Sequence, residues 1–172
     1  MTTIIRETTA YLAFGGNVGD VREAFDHAMK RLEKASGHPV RSSQLYRTAP
    51  WGETDQPEFL NMAVEIEWES QPEKLLELAL DIERDRGRDR DREKRWGPRT
   101  LDIDLLLVGS RIITSEKLTL PHPRMRERTF VLAPLRDLAP DLVPPGWEKT
   151  VLQTLEQRPD REAAVPLESP SL

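Results

Sequence analysis

The sequence predicts an α+β fold, a ferredoxin-like βαββαβ sandwich in which an antiparallel sheet carries helices on one face, with an extra strand and helices at the C-terminal end. Three observations carry that expectation: two-residue alternation of apolar side chains over Phe59–Trp68, two amphipathic helical stretches with legible ends, and segments in the order strand, helix, strand, strand, helix, strand. A chain of 172 residues can bury one full core, so residues 1–158 are read as a single domain. Residues 159–172 show no periodicity and are expected as a flexible tail.

Thr8–Phe14 reads as the first strand, stopped by Gly15-Gly16-Asn17-Val18-Gly19-Asp20. A glycine-rich strand-to-helix turn can cradle phosphate, but this one lacks the P-loop lysine and the full dinucleotide fingerprint, so a tight turn is the simpler reading. Asp20 caps the next helix, with Glu23 placed as in a capping box, and Gly37 ends it. Val21, Ala24, Phe25, Ala28, Met29 and Leu32 recur at helical spacing. His27 and His38 have no partner at ligand spacing and read as structural or solvated. Val40–Thr48 is the second strand, and a polar connection with Pro57 leads to the third. There Leu60, Met62, Val64, Ile66 and Trp68 face one way, while Phe59, Asn61, Ala63 and Glu65 face the other. Ser70 and Glu73 form a capping-box pattern for a helix whose core face is Leu75, Leu76, Ala79 and Ile82. From Arg84 to Arg95 the charges alternate in sign, which predicts a solvated, mobile segment placed to close over phosphates. Beyond the next strand, Gly109-Ser110 turns into a short strand at 111–113, a helix-like segment spans Arg124–Phe130, and Thr150–Gln157 reads as a last capped helix.

The chemistry concentrates in Arg95-Trp96-Gly97-Pro98-Arg99-Thr100-Leu101-Asp102-Ile103-Asp104, which runs into the apolar stretch Leu105–Val108. That stretch predicts a central strand covered on both faces. Asp102 and Asp104 then point the same way, roughly 7 Å apart along the strand. Two carboxylates at that spacing suit Mg²⁺, which completes its shell with phosphate and water, and arginines such as Arg95 and Arg99 suit phosphate. Those arginines could equally neutralise the carboxylates with no metal present, and the pattern alone leaves both readings open. His122 lies between two prolines, on a loop with Arg128 close by in sequence.

Composition narrows the classes. A net charge of -5 argues against a general nucleic-acid binder, and the absence of cysteine excludes disulfides and thiolate chemistry. No run approaches the ~20 apolar residues of a membrane helix, so a cytoplasmic protein without membrane attachment is expected. A non-catalytic nucleotide- or RNA-binding module on the same scaffold is the rival from another class, and a different ATP-dependent transferase is the rival among enzymes.

Four blocks together resemble 6-hydroxymethyl-7,8-dihydropterin pyrophosphokinase, a folate-pathway enzyme family: Phe14 to Asp20; Tyr46-Arg47-Thr48 through Gln56-Pro57-Glu58-Phe59-Leu60-Asn61; Arg95 to Asp104; and Leu120-Pro121-His122-Pro123-Arg124-Met125 through Leu132. The resemblance implies transfer of pyrophosphate from ATP to the pterin's hydroxymethyl group, releasing AMP. By position, Asp102 and Asp104 would hold two Mg²⁺ ions, and Arg88 and Arg99 would serve the reacting phosphates. Glu83, Arg90, Arg95, Trp96, Thr119, His122 and Arg128 would line the nucleotide site. Thr48, Ala49, Pro50, Trp51, Phe59, Asn61, Trp96 and Phe130 would hold the pterin, Phe59 and Phe130 by stacking and Thr48 and Asn61 by hydrogen bonds to its edge. The expected partners are ATP and the pterin, with no nucleic acid, and the chain is expected to act as a monomer. Three positions depart from the family pattern: Gly16 stands where serine is usual, Trp51 replaces a smaller aliphatic residue, and Leu80 stands where some relatives carry an amide.

Overall fold

A computed structural model describes residues 6–50, 52–89, 91–92 and 97–167. Its main sheet is antiparallel throughout, in the spatial order β5 (Asp102–Val108), β1 (Thr9–Gly16), β4 (Phe59–Glu67), β3 (Tyr46–Thr48) and β8 (Val165–Pro166), and β2 (Arg41–Ser42) also pairs with β4. β6 (Ile113–Thr114) and β7 (Thr119–Leu120) form a separate two-stranded ribbon. With α1 (Val21–Ser36) after β1 and α2 (Pro72–Asp85) after β4, this is the ferredoxin-like core. α3 (Thr129–Leu138) and α4 (Val151–Glu156) follow it.

The alternation in β4 sorts the two faces. Met62, Val64 and Ile66 join Leu12, Phe14 and Ile103 in a core shared with α1 and α2, where Phe14 meets Phe25 edge-on with ring centroids 5.6 Å apart. Ala63, Tyr11, Leu106 and Leu107 join Val131, Leu132 and Leu135 of α3 and Val151 and Leu155 of α4. Helices therefore cover both faces rather than the one expected, because the C-terminal helices pack on the side that the βαββαβ unit leaves open. The unbroken hydrophobic run of β5 anticipates this. Opposite Tyr11 and Leu12 stand Leu107 and Leu105, so Leu106 is a bulge and two successive leucines serve the same face. Asp102 and Asp104 precede the bulge and keep their common face.

Several boundaries differ from expectation for local reasons. β1 does not stop at Gly15 but runs through Gly16, because Gly15 pairs with Asn61 on one side and Asp102 on the other. The strand expected over 40–48 is broken in two. At the break the Ser43 hydroxyl accepts from the Ala63 amide at 2.9 Å, while the Ser43 amide donates to the Ala63 carbonyl. α1 begins as expected, with Asp20 accepting from the Glu23 amide, and Gly37 ends it at φ 74°. The Ser70–Glu73 box does not form: Pro72 takes the first helical position, which fixes Gln71 as the cap. The helix-like segment at 124–130 is a 3-10 turn, Met125–Glu127, that leads into α3, whereas α4 carries a complete capping box between Thr150 and Gln153.

The segment read as a tail is held to the body as far as it is described. Thr129 Oγ1 donates to Asp160 at 2.8 Å, Ala164 is buried, and Val165–Pro166 pairs with β3.

Candidate active site

The site is built on one end of the sheet, on the face that α3 shares. One cross-strand row reads Asn61, Gly15, Asp102, and the next reads Ala63, Ala13, Asp104. Glycine and alanine in the central strand leave the space between the amide side and the carboxylate side open. A Cβ on Gly15 would come within 3.3 Å of Asn61 Oδ1.

At the amide end, Asn61 Nδ2 donates to Thr48 Oγ1 at 2.7 Å, and both residues are buried. That bond fixes the asparagine so that its Oδ1 side faces Gly15. Phe59 stands opposite Thr48 on the neighbouring strand, half-buried. Ala49 is exposed and Pro50 half-buried just past β3. Phe130 opens α3, with the Arg128 guanidinium 5.6 Å from its ring centroid.

At the carboxylate end, Asp102 accepts from Arg88 Nη1 at 2.6 Å and from Arg99 Nη1 at 2.8 Å. Arg128 Nη1 stands 3.7 Å from Asp104, within ion-pair range and beyond a direct hydrogen bond. Arg88 departs from the solvated segment expected here: its side chain is 5% exposed and also donates to Glu83 Oε1 at 2.8 Å. Glu83, expected to line the nucleotide site, is 1% exposed and lies beneath it. The same Oε1 accepts from the Ile103 amide at 2.8 Å, so one buried carboxylate braces both Arg88 and the start of β5. Arg99 Nε is buried and bonds nothing among the described residues, a donor without an acceptor.

His122 is placed by its amide, which donates to the Leu106 carbonyl at 2.9 Å. Its Nδ1 accepts from the Arg124 amide at 3.2 Å, so in the neutral ring the proton sits on Nε2. Burial, and next the Arg128 charge, push the imidazole down to about 4. Protonation is thus favoured in the unfolded chain below about 6.5 and resisted in the folded one, and stability from this group is lost as pH falls from 6.5 toward 4. In an NMR titration His122 is expected to stay neutral from pH 8 down to 5, and a midpoint near 6.5 would contradict the burial. Thr119 sits half-buried in β7, opposite Thr114. Trp51, Arg90, Arg95 and Trp96 lie outside the described residues.

The donor set fits Mg²⁺. Asp102 and Asp104, two residues apart on β5, offer two carboxylates on one face. Mg²⁺ commonly takes that number and fills its shell with phosphate and water. One residue missing from the predicted set is Asn17, whose amide reaches two segments that flank the site. In the sequence it stands in a tight turn, and the Gly-Gly-Asn pattern carries no signal for contacts so distant along the chain. A cavity of about 440 Å³ near Arg126, Trp147, Lys149 and Arg158 contains none of the predicted site residues.

The sheet is of the ferredoxin-like α+β class, and it brings paired carboxylates, clustered guanidiniums and a buried amide to one end, a set of groups that suits a phosphate-bearing ligand. A sequence profile of the 7,8-dihydro-6-hydroxymethylpterin-pyrophosphokinase family matches residues 11–140. The chain is 48% identical over 149 residues to the 2-amino-4-hydroxy-6-hydroxymethyldihydropteridine pyrophosphokinase of Methylorubrum extorquens, covering 86% of this chain and 92% of that protein. To the enzyme of the same name from Bacillus subtilis it is 48% identical over 130 residues, covering 75% of this chain and 77% of the other. In fold it is similar to a crystal structure of an HPPK-DHPS protein in complex with substrates, at a TM-score of 0.64 and 15% identity, over 85% of this chain and 42% of that one. The chain belongs to the 7,8-dihydro-6-hydroxymethylpterin pyrophosphokinase family: it is an ATP-dependent enzyme that transfers pyrophosphate to 6-hydroxymethyl-7,8-dihydropterin in folate biosynthesis. Among the described residues no helix is long and apolar enough to cross a membrane.

Proposed function

We propose that Asp102 and Asp104 hold two Mg²⁺ ions against the ATP phosphates, and that Arg88, Arg99 and Arg128 receive the phosphate oxygens. The observation that carries this reading is the buried Arg99 Nε, a donor with no acceptor among the described residues beside a carboxylate already held by two guanidiniums. A phosphate oxygen is the acceptor that such a fork suits. Bound Mg²⁺ would neutralise phosphate charge and make the substrate hydroxyl more acidic, which lessens the need for a protein base. Glu83 acts from beneath by holding Arg88 and Ile103, while His122, neutral with its proton on Nε2, offers a donor to the nucleotide, and Thr119 lines the same side. On the other side of Gly15, Phe59 and Phe130 stack on the pterin, and Asn61 with Thr48 reads its edge, flanked by Ala49 and Pro50. Trp51 and Trp96 are proposed pterin contacts, and Arg90, Arg95 and Trp96 nucleotide contacts, on the resemblance alone. The chain is proposed to work as a cytoplasmic monomer.

Metal stoichiometry tests the carboxylate assignment. With Mn²⁺ in place of Mg²⁺ and a non-hydrolysable ATP analogue, electron paramagnetic resonance of free Mn²⁺ is expected to show two ions taken up per chain. A plateau at one ion would contradict the two-ion site.

A further inference from the structure

We propose that Asp160 is a positioning residue for the pterin end of the site: through the Thr129 hydroxyl it fixes the first turn of α3, and with it Phe130. This rests on the assignment of Phe130 to the pterin given above.

α3 starts without a cap of its own. Its cap residue is Arg128, whose side chain makes no capping bond and reaches instead toward the Phe130 ring and Asp104. Thr129, the first helical residue, is 3% exposed, so its hydroxyl is shut away from water and needs an acceptor within the protein. Asp160 supplies one. Thr129 Oγ1 donates to Asp160 Oδ1 at 2.8 Å, across 31 residues of chain. The carboxylate also meets the positive end of a ten-residue helix, where a negative charge is favoured. The same Oδ1 accepts from Arg158 Nε at 3.0 Å, which holds the carboxylate in place. Phe130 follows Thr129 directly, so the direction of its ring is set by where that turn sits.

The segment that presents Asp160 is fixed at both ends. On one side the Arg158 amide donates to the Leu155 carbonyl of α4 at 2.9 Å. On the other, the Ala163 amide donates to the Asp160 carbonyl at 2.8 Å and closes a turn. Ala164 is then buried in the α3 side of the core, Val165–Pro166 pairs with Arg47 and Tyr46, and the Leu167 amide donates to the Leu45 carbonyl at 2.9 Å. The next residue of β3 is Thr48, which accepts from Asn61. Residues 160–167 therefore brace two elements that carry pterin-side groups, the first turn of α3 and β3.

Stacking depends on the plane and the distance of the ring. Without the Asp160 acceptor the buried hydroxyl loses its partner, the first turn of α3 loosens, and Phe130 loses its fixed direction. Asp102 and Asp104 sit on β5, which pairs with β1, and do not depend on this turn. The consequence is selective: the pterin is held less well and ATP is not.

Steady-state kinetics on the full chain test this, with thermal melts to establish that each variant is folded at the assay temperature. Asp160→Ala, at an exposed position, is expected to raise KM for the reduced pterin alcohol about fivefold, the worth of one hydrogen bond. KM for ATP is expected to stay within about twofold, since neither carboxylate of β5 moves. Asp160→Asn keeps an oxygen for the Thr129 hydroxyl and is expected to restore the pterin KM to within about twofold of normal. Thr129→Val, which keeps the shape and removes the hydroxyl, is expected to match Asp160→Ala, and the double variant to be no worse than either alone. Phe130→Leu, measured alongside, is expected to raise the pterin KM about tenfold. A pterin KM that rises in Phe130→Leu and stays normal in Asp160→Ala would overturn the proposal, as would equal rises for both substrates or additive effects in the double variant. A normal pterin KM in Phe130→Leu would instead overturn the assignment of Phe130, and the role of Asp160 with it.

Discussion

Replacing Asp104 with asparagine is expected to lower turnover by roughly a thousandfold while the protein stays folded. The exchange keeps the shape of the side chain and removes its charge. A metal-held charge at a transferring phosphate is worth several kcal/mol, and about 4 kcal/mol corresponds to three decades in rate. Arg128 stands 3.7 Å from Asp104 in a partly exposed pair, and the loss of such a pair costs about 1 kcal/mol at most. Asp102→Asn makes the contrast. Asp102 anchors Arg88, which is 5% exposed, and Arg99. Its removal should cost stability as well as activity, because a buried cation loses a counter-charge. Steady-state rates and thermal melts on both variants separate the roles. Near-normal turnover in Asp104→Asn would remove the metal assignment.

The largest effect on stability is expected at Glu83. Its carboxylate is 1% exposed and carries bonds from Arg88 Nη1 and the Ile103 amide. Glu83→Ala removes the counter-charge beneath Arg88 and leaves a donor at the start of β5 unsatisfied, a loss of about 3–5 kcal/mol. For a chain of this size that is a fall of roughly 10 °C in melting temperature. Glu83→Gln retains an oxygen for Ile103 and should be milder, so the difference between the two reports the ionic part. A Glu83→Ala variant that melts with the unmodified protein would show that the brace does not form.

Much of this was legible because the deciding signals are local. The alternation from Leu60 to Ile66 assigns both faces of β4, and Asp20 with Gly37 brackets α1, since capping and pleat act over a few residues. The carboxylates of β5 share a face for the same reason. What stayed hidden depends on partners far along the chain. Arg88 sits in a run of alternating charge that reads as solvated, and its burial follows from Glu83 and Asp102 meeting around it. The break at Ser43 depends on a hydroxyl facing Ala63, 20 residues on. Val165–Pro166 finds the edge of β3 without any pattern of its own. Asn17 shows the limit most clearly: two distant segments converge on one amide that sits in an ordinary glycine-rich turn.

The most direct test of the whole account is product analysis with Mg²⁺, ATP and 6-hydroxymethyl-7,8-dihydropterin. Chromatography is expected to show AMP and the pterin diphosphate forming one for one, with the rate of formation lowered roughly a thousandfold in Asp104→Asn. ADP in place of AMP, or AMP formed by the variant at a near-normal rate, would contradict pyrophosphoryl transfer at this carboxylate pair.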